Sequence, residues 1–206
     1  MRADAQEEKH EVKGEKGMKK DIILAGVGGQ GILTIAAILG QAAIKRGWHL
    51  KQAEVHGMSQ RGGDVQSHLR LSDQPIWSDL IPFGGADMIL SVEPMEALRY
   101  LPYLGKEGWI IANRTPFENI AVYPDLEKIY GEITRQPNHV LIDADTIAKD
   151  VKANRAMNIV VLGAAIKHIG FSVEEISDAI RDIFNRKGEK VVEDNLRALQ
   201  AGIEAK

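Results

Sequence analysis

Asp21-Ile22-Ile23-Leu24-Ala25-Gly26-Val27-Gly28-Gly29-Gln30-Gly31-Ile32-Leu33-Thr34-Ile35 passes from an apolar run through four glycines into a second apolar run. Asp21–Ala25 has the near-continuous apolarity of a strand buried on both faces, and it stops at glycines. From Gly31 the period changes. Ile32, Ile35, Ala36, Leu39 and Ala43 recur at helical spacing, Lys45 and Arg46 fill the last turn, and Gly47 supplies the stop. Ile22–Ile44 carries no charge and is long enough to cross a bilayer. Its central glycines argue against a spanning helix, because each costs a helix interior about 1 kcal/mol relative to alanine. A buried strand, a glycine turn and a buried helix account for the same apolarity.

Working outward, residues 1–20 are rich in Glu, Lys, Asp and Arg and hold almost no large apolar side chain. Such a segment gains too little from burial to offset its ordering entropy, so it reads as a charged, flexible tail, and it lacks the apolar core of a secretory signal. Residues 21–206 then read as a single domain. His49–Val55 and the alternating Val65, Ser67, Leu69 and Leu71 suggest two more strands. Asp87–Val92, Trp109–Ala112 and Val140–Ile142 suggest further central ones, with Pro94 placed to open a helix. The last quarter reads as helices over Asn158–Ile169, Ser172–Asn185 and Glu189–Ala201, the second with Ser172 and Glu175 as a capping box. Strands alternating with helices predict an α/β class: a three-layer, Rossmann-like sandwich with a mostly parallel sheet and a helical C-terminal region.

The 206 residues carry a net charge of −3, which gives no global basic field for nucleic acid or an anionic membrane. There is no cysteine. That excludes disulfides, thiolate catalysis and cysteine-held iron–sulfur clusters in this chain, and it agrees with a cytoplasmic setting. His10, His49, His56, His68, His139 and His168 show no ligand spacing, so no metal is expected. Asp143 and Asp145, after a strand, resemble an N-cap region. Asn158, at the start of an apolar helix, reads as a helix-start polar residue, with a ligand-facing amide as the alternative.

Gly26, Gly28 and Gly31, with Gly29 and Gln30 between the last two, satisfy G-x-G-x-x-G between a strand and a helix. In that arrangement one glycine permits the tight turn, the next lets a phosphate approach the backbone, and the last lets helix and strand pack closely. The free N–H groups at the helix start form an anion site. The dinucleotide version needs an acidic residue about twenty positions on, and Glu54 is the candidate. Three readings stand: a tight β–α connection only, an anion or nucleotide-phosphate site, or an interface.

The second loop is the most specific segment: Ala53-Glu54-Val55-His56-Gly57-Met58-Ser59-Gln60-Arg61-Gly62-Gly63. Gly57, Gly62 and Gly63 give backbone donors beside the Arg61 guanidinium and the Ser59 hydroxyl, which suits a carboxylate, a phosphate or a partner's acidic side chain. A surface turn in which Arg61 bridges elements is the plain alternative. His56 and Arg61 are candidates for a direct chemical role, His56 through proton transfer near neutral pH.

Taken with Ser67-His68-Leu69-Arg70 and with Lys187–Asn195, these loops resemble the gamma domain of 2-oxoacid:ferredoxin oxidoreductases. The His-Gly-Met-Ser-Gln-Arg-Gly-Gly form resembles the indolepyruvate branch. The resemblance implies a subunit of an enzyme that converts a 2-oxoacid, coenzyme A and oxidised ferredoxin into an acyl-CoA, carbon dioxide and reduced ferredoxin. A large alpha subunit would hold thiamine diphosphate and the iron–sulfur clusters. This chain, inactive alone, would close over the partner's active site and help to bind coenzyme A or the oxoacid carboxylate. Gly28, Gly29, Gln30, Gly31 and Arg61 would be its anion ligands. Alternatives are a gamma subunit acting on pyruvate, 2-oxoglutarate or a branched-chain 2-oxoacid, a stand-alone Rossmann-type nucleotide-binding protein, and a non-catalytic scaffold.

Overall fold

The computed structural model describes residues 17–56, 62–118 and 120–205. Six strands form one sheet: β1 (Lys19–Val27), β2 (His49–His56), β3 (Asp64–Ser72), β4 (Ala86–Ser91), β5 (Leu104–Asn113) and β6 (His139–Ile142), in the order β2-β3-β1-β4-β5-β6. The pairs β1–β4, β4–β5 and β5–β6 are parallel, whereas β3 runs antiparallel to both β1 and β2. The sheet is therefore mixed but mostly parallel, with an antiparallel pair at one edge.

Helices cover both faces. Ile22 and Leu24 point into one core with α1 (Ile32–Lys45), α5 (Met157–Ile169), α6 (Val173–Phe184) and α7 (Glu189–Glu204). Ile23 and Ala25 point into the other, with α2 (Pro94–Arg99) and α3 (Leu126–Thr134). This alternation is the two-residue period of a strand buried on both sides, and it is why Ile22–Val27 carries no polar side chain. A short α4 (Ala144–Asp150) leads into α5. The uncharged stretch Ile22–Ile44 divides into β1, the glycine turn and α1, and no helix among the described residues is long and apolar enough to cross a membrane.

Two details differ from what the sequence predicts. β1 begins at Lys19, inside the expected tail, because Lys19 and Lys20 pair with Ser72 and Leu71 of β3. Met18 extends this clasp, its N–H donating to Asp73 Oδ2 at 2.9 Å; the tail's residues 1–16 lie outside those described. Helix α3 is additional to those the sequence pattern predicts, whereas α4 starts at the N-cap region expected from Asp143 and Asp145. Each is opened by an aspartate cap, Asp125 for α3 and Asp143 for α4. Asp143 accepts from the Thr146 N–H at 3.0 Å, a bond that holds its carboxyl below the usual range.

Helices α5 and α7 approach with almost no side-chain bulk between them. A Cβ on Gly163 would lie 2.3 Å from Leu199 O, and one on Gly202 would lie 2.0 Å from Val160 O. This close approach seats the C-terminal helix against the start of α5, next to the glycine turn.

Candidate functional site

Because α1 follows β1 onto one face and α2 follows β4 onto the other, the C-terminal ends of β1 and β4 form a topological switch point. Open α/β sheets bind ligands at such switch points. The glycine turn lies on the α1 side of it. Gln30 closes the turn locally: its Oε1 accepts the Val27 N–H at 2.8 Å and its own N–H donates to Val27 O at 3.1 Å. Gly29 and Gly31 have φ of 101° and 83°, which disfavours any residue with a Cβ. Gly31 is the N-cap of α1 and offers no side-chain cap, so the first turn keeps backbone donors for a ligand. Gly26 is the packing glycine, since a Cβ there would sit 2.4 Å from Val92 Cγ2.

The second loop returns to the first. Gly28 N–H donates to Gly63 O at 2.9 Å, and Gly62 takes a φ of 78°. Gly26, Gly28, Gly29, Gln30, Gly31, Gly62 and Gly63 thus gather at one end of the sheet. Gly57, Ser59 and Arg61 lie outside the described residues, as does the side chain of His56. Glu54 does not serve the turn. Strand β3 intervenes between β2 and β1, placing Glu54 about 10 Å across the sheet from β1, and its Oε1 accepts from Gln52 Nε2 at 2.7 Å. The dinucleotide pattern fails because the antiparallel β3 occupies the place of the second parallel strand.

Beyond the turn lies a cavity of about 520 Å³, where Gly29, Gln30 and Gly31 of the expected anion site, with Asn158, meet Lys152, Asn154, Arg155, Lys187 and Asn195, which the sequence pattern does not assign to a site. Gly29, Gln30, Gly31 and Thr34 line one side; Lys152, Asn154, Arg155 and Asn158 come from the α4–α5 connection, and Lys187 and Asn195 from the approach to and body of α7. Lys152 has a φ of 58°, a left-handed kink that lets Ala153 N–H return to Ala148 O at 2.8 Å. Ala153 and Ala156 are buried, while Lys152, Asn154 and Arg155 stay on the surface side. Lys187 lies 5.1 Å from the Phe184 ring centroid. The cavity's acid, Asp194, is already paired with Arg197. Three cations therefore face one engaged carboxylate across the open start of a helix, a surplus that attracts anions.

Asn158 is neither the cap nor a free ligand. Ala156 holds the N-cap position of α5, and the Asn158 amide donates to Gly31 O at 3.0 Å, tying the two helix starts together at the cavity wall.

On the α2 side of the switch point the polar groups satisfy one another. Glu93, fully buried, caps α2 by accepting the Glu96 N–H at 2.8 Å. Its other oxygen accepts the Phe117 N–H at 3.4 Å and the Tyr123 hydroxyl. Burial, reinforced by this bond to Glu93, pushes the Tyr123 phenol well above its ordinary range. Burial also raises the Glu96 carboxyl, opposed by Arg99, whose Nε donates to it at 2.7 Å. The family-like Ser67-His68-Leu69-Arg70 lies within β3, away from the cavity. His68 Nδ1 accepts the Ile81 N–H at 3.0 Å, and Arg70 pairs with buried Asp21 at 2.8 Å. Among the described residues no group of three histidines or carboxylates is placed to hold a metal.

Comparison with known proteins adds what geometry alone does not. Residues 21–205 match the pyruvate ferredoxin/flavodoxin oxidoreductase family. An indolepyruvate oxidoreductase subunit, IorB, from Archaeoglobus fulgidus is 38% identical over 194 residues, covering 90% of this chain and 94% of its own. A common gamma subunit of pyruvate/ketoisovalerate oxidoreductases from Pyrococcus furiosus is 29% identical, covering 87% and 92%. The fold is also found in the 2-oxoglutarate:ferredoxin oxidoreductase from Magnetococcus marinus, solved with 2-oxoglutarate, coenzyme A and succinyl-CoA bound. That likeness has a TM-score of 0.73 at 22% identity, and it covers 92% of this chain but 31% of the larger one. The chain belongs to the pyruvate ferredoxin/flavodoxin oxidoreductase family.

Proposed function

We infer that this chain is the IorB-type subunit of an indolepyruvate oxidoreductase, and that its own task there is to hold the anionic end of coenzyme A. The relatives support the first part: the indolepyruvate subunit from Archaeoglobus fulgidus shares 38% identity along nearly its whole length, against 29% for the pyruvate/ketoisovalerate subunit. The complete enzyme decarboxylates an arylpyruvate oxidatively to an aryl-acyl-CoA and reduces ferredoxin. A chain of 206 residues without cysteine supplies no thiolate for a cluster. The large alpha subunit would hold the iron–sulfur clusters and, with them, thiamine diphosphate, which would supply the decarboxylation chemistry.

The observation that carries the second part is the cavity beside Gly29–Gly31 with Lys152, Arg155 and Lys187 around it. A substrate carboxylate is one charge and needs one cation. Coenzyme A carries a diphosphate and a 3′-phosphate, which match several cations and an uncapped helix start. The contribution of this chain is binding and orientation: it anchors the nucleotide end so that the thiol is delivered towards the partner's reacting carbon. Arg61 and Ser59, on the loop that rejoins the turn at Gly63, remain proposed anion ligands.

The test is an anaerobic pull-down with the tagged chain, assayed with indolepyruvate, coenzyme A and a ferredoxin acceptor. Recovery of a large cysteine-rich partner with indolepyruvate-dependent acceptor reduction is the expected result. Recovery of the chain alone, without activity, contradicts the reading, and a preference for pyruvate in the recovered enzyme would move the chain to the other branch.

A further inference from the structure

We propose that the loop between β3 and β4, residues 73–85, is the element through which this chain docks on the larger subunit of its oxidoreductase, with Trp77 and Phe83 as anchors. The proposal rests on the subunit reading above and adds the surface to it.

The loop leaves Trp77 91% exposed, Phe83 74% and Leu80 57%. Apolar exposure of this size in a slack loop would carry little meaning. This loop is fastened from below at several points. Arg70 Nη1 donates to Ser78 O and to Leu80 O, each at 3.0 Å, while its Nε and Nη2 grip Asp21 at 2.8 and 3.0 Å. His68 accepts the Ile81 N–H, burying Ile81 between its exposed neighbours. Gly84 N–H donates to Pro102 O at 3.0 Å, and the Phe83 ring lies 4.6 Å from that of Tyr103. The Ser67–Arg70 segment, which the cavity does not use, thus has its role here: it presents the loop.

A recess of about 250 Å³ opens beside Trp77, lined by Pro75, Ile76 and Ser78 over the Lys19, Asp21 and Arg70 side chains. Lys19 and Arg70 both pair with Asp21, which leaves one net positive charge there. The Lys19 side chain is half exposed, so its ammonium can stay at the rim while a partner covers the aromatic tip. A rigid knob with an aromatic tip beside a fillable recess is the anatomy of an interface anchor. The occupant follows from the family: the chain is a subunit, and in the Magnetococcus marinus structure the same fold is continuous with the rest of a longer chain, of which it makes up 31%.

The test uses the assembled enzyme, made by co-expression with the larger subunit of the same host. The Trp77→Glu/Phe83→Glu double variant should lose partner affinity by about 100-fold or more, while melting like the wild-type chain when isolated. Val122→Glu, on a separate loop and 84% exposed in the parent, should retain the partner. Equal retention of wild type and double variant overturns the proposal. Failure of the wild type to capture any partner instead removes the subunit reading, and the docking surface with it. Hydroxyl-radical footprinting of the unmodified complex gives an answer that does not depend on the variant folding: Trp77 oxidation should fall on assembly. Unchanged oxidation overturns the proposal, as does protection already complete in a dimer of the chain alone, which would assign the loop to a second copy.

Discussion

The two sides of the switch point between β1 and β4 put charged side chains to opposite use. On the α2 side, Glu93 receives a backbone N–H from Glu96, another from Phe117 and the Tyr123 hydroxyl, and is fully buried. On the α1 side, Lys152, Arg155 and Lys187 border an open cavity beside a helix start without a side-chain cap. A buried acid surrounded by its donors is a fastening. Cations around a cavity with backbone donors at its floor are a binding surface. The difference lies in satisfaction, and composition does not disclose it.

Breaking the fastened side should show in stability. Glu93→Ala removes the α2 cap and strands the Tyr123 hydroxyl and the Phe117 N–H, so a loss of about 3 kcal/mol is expected in denaturant unfolding. Glu93→Gln keeps the acceptor oxygen and should cost less than half of that. A loss below about 1 kcal/mol for Glu93→Ala would place that side's strength elsewhere.

The open side is sharpened by its two left-handed glycines. Gly31→Ala combines a φ of 83° with a Cβ placed 2.6 Å from Asn158 Nδ2. It should cost about 2 kcal/mol and also disturb coenzyme A binding. Gly29→Ala meets nothing within 4 Å and carries only the backbone strain, about 1 kcal/mol. Equal costs would mean that the bond from Asn158 to Gly31 does not organise the cavity.

The smallest effect is that of pH on the β3–β4 loop. Burial, and then the Arg70 charge, lower the His68 pKa, so the folded state favours the neutral ring that accepts from Ile81. That contribution is full above the unfolded value of about 6.5. It is lost as pH falls below that value towards the lowered folded pKa, because the unfolded chain takes up the proton first. The melting temperature should decline over that interval, and His68→Asn should flatten the decline.

The glycine turn was legible because it combines an abrupt change of hydrophobic period with φ-permissive residues. The capping box Ser172–Glu175 was legible because it is local: Ser172 accepts the Glu175 N–H at 3.2 Å as its spacing suggests. The position of β2 was not. A strand that follows α1 shows the same alternation whether it pairs with β1 or lies beyond β3, so Glu54 looked like a ribose ligand. The cavity was hidden for a related reason. Its walls come from residues 29–34, 152–158 and 184–195, and nothing local marks their convergence. The turn sequence Lys152-Ala153-Asn154-Arg155 and the basic pair Arg186-Lys187 before Gly188 were the available signals.

If this subunit holds the anionic end of coenzyme A, steady-state kinetics of the assembled enzyme will show it. In an Arg155→Ala/Lys187→Ala variant, the KM for coenzyme A should rise by about 100-fold, roughly tenfold for each charge-assisted hydrogen bond removed. The KM for indolepyruvate should stay unchanged. An unchanged KM for coenzyme A, or a rise confined to the oxoacid, would contradict the account.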